Sequence, residues 1–350
     1  MRDRGGPAGL AAAIACRRKG LRVIVADGDH PPIDKACGEG LMPDALAAAA
    51  RLGTAIDPAL GYSFRGIRFL GCGTETHADF PGGTGLGIRR TALHSWLIDH
   101  AERAGVQLRW GTPVSSIDDV RARWVVGADG SGSRVRRWAG LDRSVRNSRR
   151  WAFRQHFAVA PWTSCMEIYW GGDSQFYVTP VSACEVCVAL ISRDAQLRFP
   201  EALPPFPELH ARLADARITT AQRGAVSCTR RLHSVSSGRV ALIGDASGSV
   251  DAITGQGLCL AFQQSEALAD AFAAEDLRHY EAAHQQLSRR PAFMADFMLL
   301  MDRSARLRKR ALPALAARPD LFANLLAMHV GNPGVVGFIS TSLQLGWEMV

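Results

Sequence analysis

The stretch GGPAGLAAAIACRRKGLRVIVAD, residues 5–27, constrains this chain more than any other. Pro7 suits a first helical turn, where its missing N–H costs nothing. Arg17, Arg18 and Lys19 followed by Gly20 read as a helix C-terminus. LRVIVAD is short and nearly all apolar, as expected of a buried parallel strand, and it ends on Asp27. Glycine turn, helix, strand and terminal carboxylate make two thirds of a βαβ dinucleotide-binding unit. Gly6 and Gly9 match the second and third glycines of G-x-G-x-x-G, where backbone approaches a pyrophosphate at a helix N-terminus. Asp27 stands where a carboxylate accepts bonds from ribose hydroxyls. The first glycine position is Arg4, and only Met1–Arg4 precede the turn. The expectation is therefore a truncated start that lacks the first strand, leaving LRVIVAD and ARWVVGAD without a hydrogen-bonding neighbour.

A chain of 350 residues can bury two closely packed domains. The apolar run after Arg4 and Ala-Ile-Ala-Cys16 resemble a signal peptide, but the run is mostly Ala and Gly and leads straight into a basic helix end and a strand. No run of 18 apolar residues is present, so no transmembrane helix is expected. Eight scattered cysteines suggest reduced thiols and a cytoplasmic protein. The net charge of +8 suits nucleic acid, an anionic membrane surface or a phosphate-bearing ligand. With 7% aromatics and no zinc-finger, RNP or helix-turn-helix signature, nucleic acid is not expected as a partner.

DALAAAARLG and RTALHSWLIDHAERAG read as helices, and SFRGIRFLG and ETHADFP as antiparallel strands. From Arg150 to about Cys228, runs such as FRQHFAVAP, CMEIYWG, QFYVTPV and CEVCVALIS suggest an antiparallel sheet. GRVALIGDASG is another buried strand, and helices follow from Gly257. The expected fold is α/β: a Rossmann-like dinucleotide-binding domain (1-70, 87-150 and 236-290), an inserted antiparallel β-sheet substrate domain (71-86 and 151-235) and C-terminal helices (291-350). A small-molecule substrate is expected where the domains meet; the oligomeric state is left open.

Two further motifs end strands in an acidic turn. VVGADGSGSRVRR carries Asp129 and Gly130; VALIGDASGSVDAITGQG carries Gly244, Asp245, Gly255 and Gly257. Glycine turn, DG and GD motifs in this order resemble those of the p-hydroxybenzoate hydroxylase-like flavoproteins, which include class A flavin monooxygenases and geranylgeranyl reductases. The resemblance covers about residues 5–290. It implies an FAD cofactor, with Asp245 accepting bonds from the ribityl chain and Arg90, or failing it Arg89, near the flavin. It implies that the helix from Gly257 aims its positive end at the pyrimidine edge, favouring the charge of reduced flavin. It places Asp129 and Gly130 near the pyrophosphate, and NADPH or NADH as a reductant bound transiently. DKACGEGLMP resembles the Cys-Gly-Gly segment of the reductases, with Glu39 in place of a glycine. By that resemblance Cys37 lies near the flavin face, as a weak donor and catalytic candidate or as packing.

Cys184 and Cys187 stand in an alternating run that sends them to opposite faces, which suits packing better than zinc, and no metal is expected. His156, Tyr169, Trp170 and Tyr177 are candidates for a substrate pocket or for the core. RSARLRKR, residues 303–310, fits peripheral contact with an anionic membrane or a solvated helix face. The first functional expectation is an NAD(P)H-dependent monooxygenase hydroxylating an aromatic or polyketide-like molecule. The alternative is reduction of isoprenoid double bonds, which CGEG and VDAITGQG favour, although the sheet domain does not obviously supply a long lipid tunnel. A third is a degenerate fold that binds no FAD, on the evidence of Arg4 and the missing strand.

Overall fold

The computed structural model describes residues 5–146 and 148–331. The expectations for Met1–Arg4, and those for residues 332–350, lie outside the described residues.

The helices are Pro7–Arg18 (α1), Pro43–Arg51 (α2), Arg90–Arg103 (α3), Arg134–Trp138 (α4), Phe199–Ala202 (α5), Pro207–Leu213 (α6), Gly257–Ala273 (α7), Leu277–Arg303 (α8), Ala305–Ala317 (α9) and Pro319–His329 (α10). In α1 every side chain from Leu10 to Cys16 is buried. Its small residues let it pack closely on α7, and both join one core with Leu93 and Leu97 of α3. None of the described helices is long and apolar enough to cross a membrane.

The parallel strands are shorter than their sequence runs. In LRVIVAD only Ile24–Ala26 form a strand, parallel to Gln107–Arg109. Val125–Gly127 pair in parallel with Val240–Leu242. Among the described residues these pairs belong to separate sheets. Ile24 is 55% exposed.

Among the described residues the large sheet has eight strands. Its neighbours run in the order Arg150–Ala158, Glu185–Ser192, Ser174–Ser182, Cys165–Trp170, Gly66–Gly71 and Thr74–Asp79, with Arg217–Ile218 and Arg223–Ser227 beside Arg150–Ala158. All pairs are antiparallel except Cys165–Trp170 with Gly66–Gly71. Both faces are covered, so the central strands read as near-continuous apolar runs. Trp170, Tyr177 and Ile191 pack towards α8, α9 and α10, while Tyr169, Phe176 and Leu190 pack towards α5 and α6. Successive side chains thus separate Tyr169 from Trp170. Cys187 is buried in its strand, whereas Cys184 is exposed in the turn before it rather than on the strand's opposite face.

A buried ion pair joins this sheet to the loop before α7. Arg150 and Asp251 are almost wholly inaccessible and directly bonded. Asp251 also accepts from Ser148 Oγ at 2.9 Å and from the Ile253 N–H at 3.1 Å. Burial alone would raise the Asp251 carboxyl, but the Arg150 guanidinium and these hydrogen bonds hold it below its usual value. Removing one partner leaves an uncompensated buried charge, so Asp251→Ala should cost about 3–5 kcal/mol. A folded pKa below the unfolded one gives stability that is present above about pH 4 and lost as pH falls through the folded value. Denaturant titrations of parent and variant should therefore diverge at neutral pH and approach each other in acid.

Candidate functional site

The glycine turn is held from behind. The Gly5 N–H donates to Asp27, which is fully buried and also accepts from the Asp29 N–H at 2.8 Å. The structure thus places Asp27 on backbone donors of the turn rather than among the residues lining the cavity. His94 Nδ1 accepts from the Ile33 N–H at 3.4 Å, so Nε2 carries the hydrogen and donates to the Gly5 carbonyl at 2.7 Å. Burial keeps His94 below its ordinary pKa, in keeping with this neutral form. A Cβ on Gly5 would lie 2.3 Å from the Trp110 ring, so only glycine fits there. His94 and Trp110 carry no local motif; their part appears only when α3 and the strand end at Arg109 meet the turn.

The DG and GD turns are stitched together by α4. Asp129 accepts from Ser133 Oγ at 2.5 Å and from the Arg134 and Val135 N–H groups at 2.7 and 3.2 Å, which caps α4. Buried Arg136 donates to Ser131 O at 2.8 Å and Ala246 O at 3.0 Å, tying one turn to the other. Gly130, Gly244 and Gly255 have φ of +74°, +58° and +65°, a region that favours glycine.

These turns surround a cavity of about 350 Å³. Its polar end includes Gly6, Lys35, Arg90, Gly130 and Asp245. Gly9 stays inside α1, fully buried, where a small residue suits close helix packing. Helices α1 and α7 begin here at Gly6 and Gln256, with no side-chain cap and no acidic residue in either first turn. Their positive ends are therefore left to whatever occupies the cavity. Asp245 is accessible, but the surface it exposes faces this cavity. The surrounding protein raises its carboxyl, against the opposing pull of Lys35 and Arg90. Of the two arginines, Arg90 lines the cavity and its Nε is buried without a hydrogen-bond partner among the described residues. Arg89 instead pairs with Glu185 at 2.6 Å.

The residues fit a large anionic group such as the pyrophosphate and flavin of FAD. Among the described residues, a Cβ on Gly38 or Gly257 would meet no atom within 4 Å, and one on Gly6 would come no nearer than Arg90 at 4.0 Å. The glycines thus leave open the space that a cofactor needs, and the charges around it suit phosphate.

Glu39 bolts the CGEG segment to both domains. It has φ of +58°, a costly conformation for a residue with a side chain. One carboxylate oxygen accepts from the Arg90 N–H at 2.9 Å and the other lies 2.6 Å from His156 Nε2. Arg154, a donor only, lies 3.1 Å from His156 Nδ1, so Nδ1 accepts and Nε2–H donates to Glu39. Cys187 Sγ completes a group whose polar atoms lie within 4.8 Å of one another. The guanidinium already supplies the positive charge there. Cys37 lines the cavity, and its sulfur accepts from the Glu39 N–H at 3.4 Å.

The other end of the cavity is apolar and rich in methionine. Met42, Met166, Met294, Phe297, Met298 and Phe322 line it. Tyr177 closes this end with its hydroxyl donating to Ile253 O at 3.1 Å. Tyr169 and Trp170 are core residues on opposite faces of the sheet. The apolar chamber that the sheet alone did not promise is completed by α8, α9 and α10.

Asp245→Ala should weaken FAD binding by roughly ten- to a hundredfold, the worth of about 1.5–3 kcal/mol for a hydrogen bond to a charged acceptor. Its unfolding free energy should stay close to that of the parent, in contrast to Asp251→Ala. Flavin titration and denaturant melts of the two variants separate a cofactor contact from a structural one.

The chain matches a family model described as an FAD binding domain over residues 115–282. It is 36% identical over 116 residues to a menaquinone reductase of Mycolicibacterium smegmatis, covering 32% of this chain and 28% of that protein. It is 25% identical over 291 residues to digeranylgeranylglycerophospholipid reductase 2 of Methanopyrus kandleri, covering 72% of this chain and 71% of the relative. The match thus spans under a third of the menaquinone reductase's length. The p-nitrophenol 4-monooxygenase PnpA of Pseudomonas putida superposes with a TM-score of 0.75 at 19% identity, over 99% of this chain and 96% of that one. The Rossmann-like region, the inserted sheet and the C-terminal helices thus share the fold of this flavin monooxygenase, and the matched segment is that of an FAD binding domain.

Proposed function

We propose that this chain is an FAD-dependent reductase of carbon–carbon double bonds in an isoprenoid-type substrate. One observation carries the reading: the apolar, methionine-rich chamber is continuous with the glycine-lined cradle and offers a chain-like substrate few hydrogen-bonding groups. Flexible thioethers suit a long, irregular apolar ligand. The relatives named as reductases of menaquinone and of a digeranylgeranyl lipid support the same class. The cradle supports FAD binding over a degenerate fold. NADPH or NADH serves as the transient reductant.

The placement of the lining residues supports the following roles. Gly6, Gly130 and the N-terminus of α1 receive the pyrophosphate, Asp245 holds the ribityl chain, and the N-terminus of α7 with Arg90 favours negative charge on the bound ring. Asp27 and Asp129 act through the turns they hold. Reduced FAD supplies a hydride; saturating a double bond also requires one proton. Lys35 Nζ is the candidate donor, because burial and the neighbouring Arg90 bring it from the usual lysine range down to about 8. Cys37 borders the same space as a weaker donor or as packing.

Hydroxylation is the second reading, favoured by the fold shared with p-nitrophenol 4-monooxygenase. The two are separated by turnover of a prenylated quinone with and without O2. Reduction proceeds anaerobically and adds two hydrogens; hydroxylation consumes O2 and leaves one oxygen atom in the product. Strict O2 dependence with an oxygenated product would overturn the reductase assignment.

If Lys35 is the donor, turnover should fall as pH rises through about 8, because the protonated amine is lost. Lys35→Gln should lower kcat by roughly 10²–10⁴ and remove that limb of the pH profile while flavin remains bound. An unchanged profile in Lys35→Gln would assign the proton to another group.

A further inference from the structure

Helix α8 carries two of the few large apolar side chains that are exposed among the described residues. Phe293 is 42% and Leu300 55% exposed, and their separation of two helical turns sets them on one face. Phe297 lies between them on that face, half-buried, and it also lines the apolar end of the cavity. Arg289 and Arg303 are exposed at the two ends of this stripe. The chain turns at Ser304 into α9, whose exposed residues include Arg306, Lys309 and Arg310 and which contains no acidic residue. Asp296, the acidic residue on the stripe, is bonded to Arg231 at 2.6 Å. Apolar groups beside a cluster of cations fit the headgroup boundary of an anionic bilayer, where the rings and alkyl groups enter and the cations stay among phosphates.

We propose that the α8–α9 corner is a membrane-docking surface for anionic phospholipid, which brings the apolar end of the cavity to the bilayer. Phe297 belongs to both the stripe and the cavity wall, so a chain-like lipid leaves the bilayer beside the chamber that receives it. This inference rests on the proposed apolar substrate for its purpose, but the surface itself is read from α8 and α9 alone.

The test is cosedimentation of the flavin-loaded full chain with phosphatidylcholine vesicles, with and without phosphatidylglycerol. The chain should sediment with the anionic vesicles at low salt and be released by added salt. Arg306→Gln with Lys309→Gln should lower the partition by roughly tenfold or more, at the usual worth of a basic residue near an anionic surface. Phe293→Ser with Leu300→Ser should lower it by about tenfold, with flavin content and thermal midpoint as in the parent. A chain that stays in the supernatant with anionic vesicles, or variant pairs that sediment like the parent, would overturn the proposal. So would a dimer that Phe293→Ser with Leu300→Ser dissociates in the absence of vesicle binding, since a second copy then covers the face. Assay on detergent-dispersed prenyl substrate reads the enzymatic proposal separately: a chain that reduces it but ignores vesicles loses only the docking surface, and one that binds vesicles but reduces nothing loses only the assigned reaction.

Discussion

Among the described residues, two helix N-termini open onto one cavity without a side-chain cap. The first turns of α1 and α7 have neither a side-chain cap nor an acidic residue. Unpaired N–H groups and an uncompensated dipole are costly to enclose unless an anion or water meets them. Much of the cofactor domain serves to keep these ends aimed inward. Asp27 and His94 fix the Gly5 turn from behind, Asp129 and Arg136 fix the DG and GD turns, and glycines keep the space free of side chains. The rigidity lies behind the cavity wall while the groups facing the cavity remain available, which is the arrangement a tightly held cofactor requires.

Glu39 couples that cradle to the sheet. The resemblance to reductases puts a glycine at this position, and the backbone keeps the left-handed conformation that glycine would take freely. The cost of about 1–3 kcal/mol for such a conformation is offset by two charge-assisted contacts, one to the Arg90 N–H and one to His156. Arg90 faces the cofactor space, and His156 with Arg154 stands on Arg150–Ala158 of the large sheet. A single carboxylate therefore sets the relation between cofactor, CGEG segment and sheet. The Arg150–Asp251 pair does the same at the far side of the site, between the sheet and the loop that starts α7. Each is a buried charge that tolerates loss of its partner badly, so the domain junction is held in one register.

The apolar side of the cavity obeys a different rule. The sheet presents one face to α5 and α6 and the other to α8, α9 and α10, and the chamber is the space that the second packing leaves unfilled. Its wall is mostly apolar, in contrast to the cradle, where donors, acceptors and helix ends are placed individually.

The sequence by itself determined the cofactor domain. The DG and GD turns, a helix opening at Pro7 and another at Gly257 are local properties, legible because glycine and proline mark the backbone of their own turn. The acidic strand ends at Asp27, Asp129 and Asp245 were equally visible, but not the division of labour among them: Asp245 faces the cavity, while Asp27 and Asp129 are taken up by backbone donors. Only the tertiary structure decided that. It also decided that Glu39 meets His156 across 117 positions and that His94 reaches Gly5 across 89. The length of the Ile24–Ala26 strand and the apolar chamber belong to the same class, since a strand extends only as far as its neighbours pair with it and a cavity exists only between elements already packed. Local propensity carries turns and helix ends; contacts between distant side chains arise from packing, which no short stretch of sequence encodes.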